Sequence, residues 1–313
     1  MIRIFKSIEG VLHQVDEVTE NVWICLTKPT SDEIQKVAQK CQIDADDLKA
    51  SLDEEEASRI EITDSYTLIL VDVPSKEVRN GTNAYTTLPL AIIMTENIII
   101  TVCLEDTIVL KPFINDRVKG FRTSKKTRFI YQILYSNTSV YLNYLRRIDK
   151  QREEIEGRID NGMRNEDLIE LHELESNLVY FATSLRVNGV VLDKLTRYEK
   201  IKQYAEDQEL LNDVIIENKQ AIEMANIYRD ILNGTRELLA SIIDYNLNTV
   251  MKFLTSITLI MAIPTMISGF YGMNVNPDGM PFANSVNGFG IIFLITVIVC
   301  LISAWILKKK DLF

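Results

Sequence analysis

The sequence predicts an α+β soluble region that leads through a long helix into two C-terminal membrane-spanning helices. Three observations carry this. Strand-like segments crowd the first hundred residues and stop before about Ser124. A helical pattern then runs from Leu211 to Lys252 without a proline. Two charge-free apolar runs close the chain. The organisation read from these is 1–123 as the α+β part, 124–252 as helices including a stalk, 253–271 and 289–313 as the spans with a basic tail, and 272–288 as the loop between them.

The strand signals are IRIF, VLHQV, NVWICL, RIEI, YTLILVDV, LPLAIIM and NIIITV, each short, apolar and rich in β-branched residues. Between them, Ser31-Asp32-Glu33 opens a helix running to Cys41, with Thr30 or Ser31 at the cap, and Asp44 to Leu52 reads as another. The carboxylates Asp53 to Glu56 could grip a cation, but adjacent residues diverge on a helix, so a solvated helix end is the better reading.

Phe253–Tyr271 and Phe289–Leu307 are 19 residues each, close to the ~20 that cross a ~30 Å hydrocarbon core. The second is apolar on every face. The first carries Thr255, Ser256, Thr258, Thr265 and Ser268, with Pro264 inside it. Those hydroxyls fit either a packing helix that satisfies them with its own carbonyls or a helix with one side facing water in a pore. Lys252 precedes the first span, Lys308-Lys309-Lys310 follow the second, and the loop from Gly272 to Gly288 has neither Lys nor Arg. By the positive-inside rule both ends are expected in the cytoplasm and the loop outside.

The net charge is −10, and residues 253–313 contribute +1, so the soluble part is strongly acidic. That repels nucleic-acid phosphates and favours cations. Met1-Ile2-Arg3-Ile4 reads as a strand and not a secretory signal. Cys25, Cys41 and Cys103 are therefore expected as reduced cytosolic thiols, and Cys300 as one in the membrane. With His13 and His172 far apart and no CxxC, a His/Cys zinc site has little to draw on. No nucleophile–base pair or phosphate loop points to an enzyme.

Along the stalk, Met224, Ile227, Ile231, Gly234, Leu238, Ser241, Tyr245 and Asn248 alternate spacings of three and four. This heptad-like seam suits packing against copies of itself, or equally an amphipathic helix buried on its own domain. Unbroken from Leu211 to Tyr271, the helix would reach ~90 Å. Two spans cannot enclose a water-filled path alone, so a pore would need several copies around an axis.

Tyr271-Gly272-Met273-Asn274, at the end of the first of two C-terminal spans with a lysine-rich end, resembles the signature of the CorA family of magnesium channels. Asn248 to Leu254 and Leu88 to Ile93 resemble further stretches of that family, and the similarity covers essentially the whole chain. The resemblance implies a funnel-shaped homopentamer in the plasma (inner) membrane that passes Mg²⁺ inward, with Co²⁺ and Ni²⁺ as further candidate cargo. Gly272, Met273 and Asn274 would form the selectivity filter, and Gly272 would let the backbone turn there. Asn248, Met251, Leu254, Thr255, Thr258 and Thr265 would line the pore, with Met251 and Leu254 as an apolar constriction. Lys252 and Lys308 to Lys310 would form a basic belt. Regulatory Mg²⁺ would bind between subunits at Asp213, with Asp72 or Glu77 as its partner. The chain departs from the family pattern in three places: the loop from Val275 to Asn287 has Asp278 as its only acid, Pro264 directly precedes Thr265, and Ala262 stands where a bulkier gate residue is usual. The competing readings are a Zn²⁺ transporter of the same superfamily and a membrane-anchored metal sensor that conducts nothing.

Overall fold

A computed structural model describes residues 1–79, 82–158, 165–197, 205–276, 279–282 and 284–310. They form two compact units, Met1–Arg236 and Glu237–Phe313.

The first unit is built on a seven-stranded sheet of order β2-β1-β3-β7-β6-β5-β4. Its strands are β1 (Ile2–Ile8), β2 (Val11–Val15), β3 (Val22–Thr27), β4 (Arg59–Ile62), β5 (Tyr66–Arg79), β6 (Thr82–Thr95) and β7 (Ile99–Cys103). All neighbours are antiparallel except β3 and β7, which pair in parallel. Each of the seven strand signals falls on one of these strands. Because side chains alternate across a strand, the apolar runs supply two faces at once. Trp23, Ile69, Val71, Leu90, Ile92 and Ile99 pack on one side, while Ile24, Leu26, Leu68, Leu70, Ile93 and Ile100 pack on the other.

The second of these faces is covered by α1 (Ser31–Cys41) and α2 (Ala45–Lys49), through Ile34, Val37, Ala38 and Leu48. Thr30 caps α1 in a capping box with Glu33, and Asp44 caps α2, so the helix-start signals fall where the sequence placed them. A 3₁₀ turn, Ala50–Leu52, ends this stretch, and Glu54 and Glu55 beyond it are exposed. Glu56 pairs with Arg59.

The first face is covered by α4 (Lys126–Glu156), α5 (Asn165–Leu195) and the start of α6 (Ala205–Tyr271), through Phe129, Ile133, Leu192, Leu195, Leu211 and Val214. A short α3 (Lys111–Ile114), with no counterpart in the sequence reading, sets Phe113 into the aromatic cluster of Phe121, Phe129 and Trp23.

β5 and β6 are longer than their apolar cores, at 14 residues each. Pro89 sits just beyond Leu90, the first β6 residue paired with β7, so its missing N–H removes no bond on that side. On the opposite side β4 reaches β5 only up to Leu70, which leaves the backbone of Asp72 without a strand partner. Side chains take over. The buried Asn188 of α5 accepts from the Asp72 N–H (2.9 Å) and donates to its C=O (2.8 Å), as a neighbouring strand would. Asn137 (2.8 Å) and Tyr141 (3.2 Å) of α4 donate to the same carbonyl. Asn177 accepts from the Tyr85 N–H of β6 (3.1 Å) in the same manner. Buried polar groups on these helices thus complete an unfinished sheet edge.

α6 shows two faces within this unit. Leu211, Val214, Ala221, Ala225, Leu232 and Thr235 are buried. Ile227 and Ile231, on the seam, are 52% and 41% exposed. The helix is therefore amphipathic against its own domain along one stripe, and the heptad-like seam is a second, uncovered one.

In the second unit α6 continues to Tyr271, and α7 spans Gly288–Lys309. Both carry segments long and apolar enough to cross a membrane.

Candidate functional site

The part of α6 in the second unit presents two opposed faces. One lies against α7: Ile260, Pro264, Ile267 and Tyr271 line a groove with Ile292, Thr296 and Cys300. Pro264 has no N–H, so the carbonyl four residues back, on Ile260, lacks its helical donor. The Cys300 thiol lies 3.9 Å from that oxygen and donates to it. A freed carbonyl in an apolar region is costly to leave unmet, and the neighbouring helix meets it.

The other face holds the residues the sequence singled out. At ~100° per residue, Asn248, Met251, Leu254, Thr255, Thr258 and Thr265 fall within an arc of about 120°, opposite the α7 side. Ala262 and Gly269 share it. All six are exposed in the single chain. The threonine hydroxyls donate back to the helix: Thr255 to the Met251 carbonyl (2.8 Å), Thr258 to Leu254 (2.8 Å) and Thr265 to Met261 (2.9 Å). Each hydroxyl hydrogen is thereby committed, which leaves the oxygen as an acceptor. The hydroxyls are thus satisfied by carbonyls of their own helix, and the side chains lie on its exposed side.

α6 ends at Tyr271, with the Gly272 N–H bonded to Ser268 O (2.9 Å) and the Met273 N–H to Phe270 O (3.3 Å). The backbone turns at Gly272, directly after the end of α6. The left-handed glycines among the described residues are Gly10 and Gly120, so Gly272 needs no special φ. A Cβ there would instead lie 3.2 Å from the Ser268 carbonyl oxygen, and glycine permits that close approach. Met273 and Asn274 follow, both exposed. Asp278 lies outside the described residues.

The return to α7 rests on groups the sequence reading passed over. Tyr271 OH donates to the Pro281 carbonyl (2.8 Å). Phe282 adopts a left-handed backbone (φ 62°), and a Cβ built on Gly288 would overlap its carbonyl oxygen. Gly288→Ala is therefore expected to cost about 1–3 kcal/mol of overpacking. Gly290→Ala, where a Cβ meets nothing within 4 Å, should be neutral or gain up to ~1 kcal/mol of helix propensity. Thermal unfolding of the detergent-solubilised pair tests this, and equal melting would refute the contact. The only sequence signal was a glycine at the last position of the loop, directly before the second span.

The basic residues Lys252 and Lys308 to Lys310 are all exposed, and the Lys309 ammonium lies over the Trp305 ring, 5.4 Å from its centroid. In the first unit, Asp213 is exposed on α6. Asp72 is half-buried on β5; burial pushes its carboxyl above the usual carboxylate range, partly offset by the Ser184 and Ser58 hydroxyls. Glu77 is paired with Arg79. Among the described residues no group of three or more His, Cys, Asp or Glu is gathered to hold a metal ion.

Residues 19–309 match the family described as CorA-like Mg²⁺ transporter protein, and the chain belongs to that family. The cobalt/magnesium transport protein CorA of Methanocaldococcus jannaschii is 29% identical over 99% of this chain and 98% of its own length. Its namesake in Thermotoga maritima is 24% identical over 98% and 88%. The complete structure of the CorA magnesium transporter from Methanocaldococcus jannaschii superposes with a TM-score of 0.85 at 27% identity, covering 100% of this chain and 99% of that one. The full-length CmaX protein shares the fold alone, with a TM-score of 0.71 at 16% identity over 98% and 96%.

Proposed function

We propose that this chain is the subunit of a magnesium channel, a funnel-shaped homopentamer of the plasma membrane that admits Mg²⁺, and also Co²⁺ and Ni²⁺, to the cytoplasm. The observation that carries the reading is the uncovered stripe of α6 opposite α7, which runs from Asn248 to Thr265 and ends beside Gly272-Met273-Asn274. The exposed seam earlier in α6, through Ile227 and Ile231, supports copies of the chain packing side by side around an axis.

Chemically the stripe suits a hydrated cation. Water bound to Mg²⁺ turns its oxygens inward and its hydrogens outward, and the ion gives up that shell reluctantly. The outward-facing surface of the cargo is thus a shell of donors. Threonine oxygens whose own hydrogens are already committed offer acceptors to it, and the Asn274 carboxamide oxygen offers one at the mouth. Neutral acceptors bind through the water without holding the ion too long for passage. Met251 and Leu254 supply the apolar constriction, which closes by dewetting. With the lysine-bearing ends cytoplasmic, the filter faces outward.

For regulation, Asp213 is free to meet a neighbouring subunit. Of its two candidate partners, Glu77 already holds Arg79, whereas Asp72 has no cationic partner among the described residues; the reading favours Asp72. Mg²⁺ bound there would favour the closed state and couple cytosolic Mg²⁺ to flow.

Proteoliposomes loaded with a Mg²⁺-sensitive dye test the function directly: uptake down an imposed gradient is expected, and none from a well-folded assembly would favour a non-conducting sensor. Asp213→Lys is expected to raise the internal Mg²⁺ needed for half-inhibition about tenfold, within the usual range of allosteric coupling. An unchanged inhibition curve would remove Asp213 from the regulatory site.

A further inference from the structure

The outer face of α7 ends in a pairing that transport does not use. Ile292, Thr296, Cys300, Ala304 and Leu307 are partly covered, and Cys300 meets α6, so this stripe is the packed side. Roughly half a turn away, at ~100° per residue, lie Leu294, Ile298, Leu301 and Trp305, with Lys309 one turn beyond. Leu301 and Trp305 are 65% and 63% exposed. The Lys309 ammonium sits over the Trp305 indole. Successive side chains on a helix diverge by ~100°, so Lys308 and Lys309 point in different directions. Lys309 points away from α6.

We propose that Trp305 and Lys309 form a headgroup site for an anionic phospholipid of the leaflet at the C-terminal end of α7. Tryptophan settles at the boundary between hydrocarbon and headgroups, apolar on its faces and polar at its N–H. The apolar stripe above it accepts acyl chains. A lysine held at the depth of the indole places its ammonium at the phosphate level. Charge complementarity therefore selects a lipid with net negative charge over a zwitterionic one. The site rests on α7 crossing the membrane, and the experiment separates the two claims.

The chain has two tryptophans, and Trp23 is fully buried in the soluble unit, so quenching by membrane-borne bromine reports Trp305. The full-length protein is reconstituted with brominated phosphatidylglycerol or brominated phosphatidylcholine at matched fractions in phosphatidylcholine vesicles. The expected result is a quenching affinity about fivefold higher for the anionic lipid, the preference one surface lysine supplies. Lys309→Gln should bring the ratio close to one while quenching by the zwitterionic lipid persists; Lys310→Gln should leave it high. Equal quenching by both lipids in the unmodified protein overturns the site but leaves the span intact. Absence of quenching by either lipid overturns the span itself. A preference lost in Lys310→Gln and kept in Lys309→Gln overturns the assignment to the Trp305 face.

Discussion

Asn274→Ala is expected to lower Mg²⁺ uptake into proteoliposomes by about two orders of magnitude while the assembly stays folded. The carboxamide is the first polar side chain of the exposed stretch that follows Gly272, and in the proposed channel every subunit presents one. Each hydrogen bond to a charged partner is worth about 1.5–3 kcal/mol, so losing several at one ring exceeds the ~3 kcal/mol that a hundredfold drop requires. Alanine keeps the backbone and removes only the acceptor. Asn274→Asp separates binding from passage: a ring of carboxylates should hold the ion more tightly and release it more slowly, lowering flux while raising apparent affinity. Uptake that survives Asn274→Ala unchanged would remove the mouth from the filter, whatever the ion.

Asn188→Leu is expected to destabilise the soluble unit by about 2–4 kcal/mol. Leucine keeps the branched outline of asparagine, though it is bulkier, and supplies neither partner that the Asp72 backbone takes from it. The Asp72 carbonyl keeps Asn137 and Tyr141, so its loss is partial. The N–H has no such reserve, and an orphaned buried donor costs about 1–3 kcal/mol by itself. Ser58, which donates to the Asn188 carboxamide oxygen (3.2 Å), loses its acceptor as well. Urea unfolding of the full chain, followed through Trp23 in a Trp305→Phe background, should show an earlier midpoint. An unshifted midpoint would mean that the sheet edge is completed by other means.

The Asp72 region also illustrates a limit on reading residues in order. YTLILVDV announces a strand because apolar, β-branched residues repeat there, and that signal is local. Nothing local says that β4 begins only at Arg59, opposite Leu70, or that an asparagine more than a hundred residues later supplies the missing partner. Asn188 in a helix reads as an indifferent surface residue until α5 is laid across the sheet. Gly288 is similar. Its requirement is set by Phe282, whose left-handed backbone no residue type announced.

The sequence by itself determined what depends on neighbours along the chain. Alternation and apolar runs marked the seven strands, Thr30 and Glu33 marked the start of α1, and two 19-residue charge-free stretches marked the spans. It also drew the spacing that puts Asn248, Met251, Thr255, Thr258 and Thr265 on one side of a helix, since a helix repeats every ~3.6 residues wherever it sits. The tertiary structure decided which side of each helix is covered. It buried Leu232 and left Ile231 open on α6, set Cys300 against the carbonyl that Pro264 frees, and turned Trp305 and Lys309 away from α6. The physical reason is that periodicity fixes the angles between side chains on one helix, whereas a covered face exists only once a second element, distant in sequence, is packed against the first.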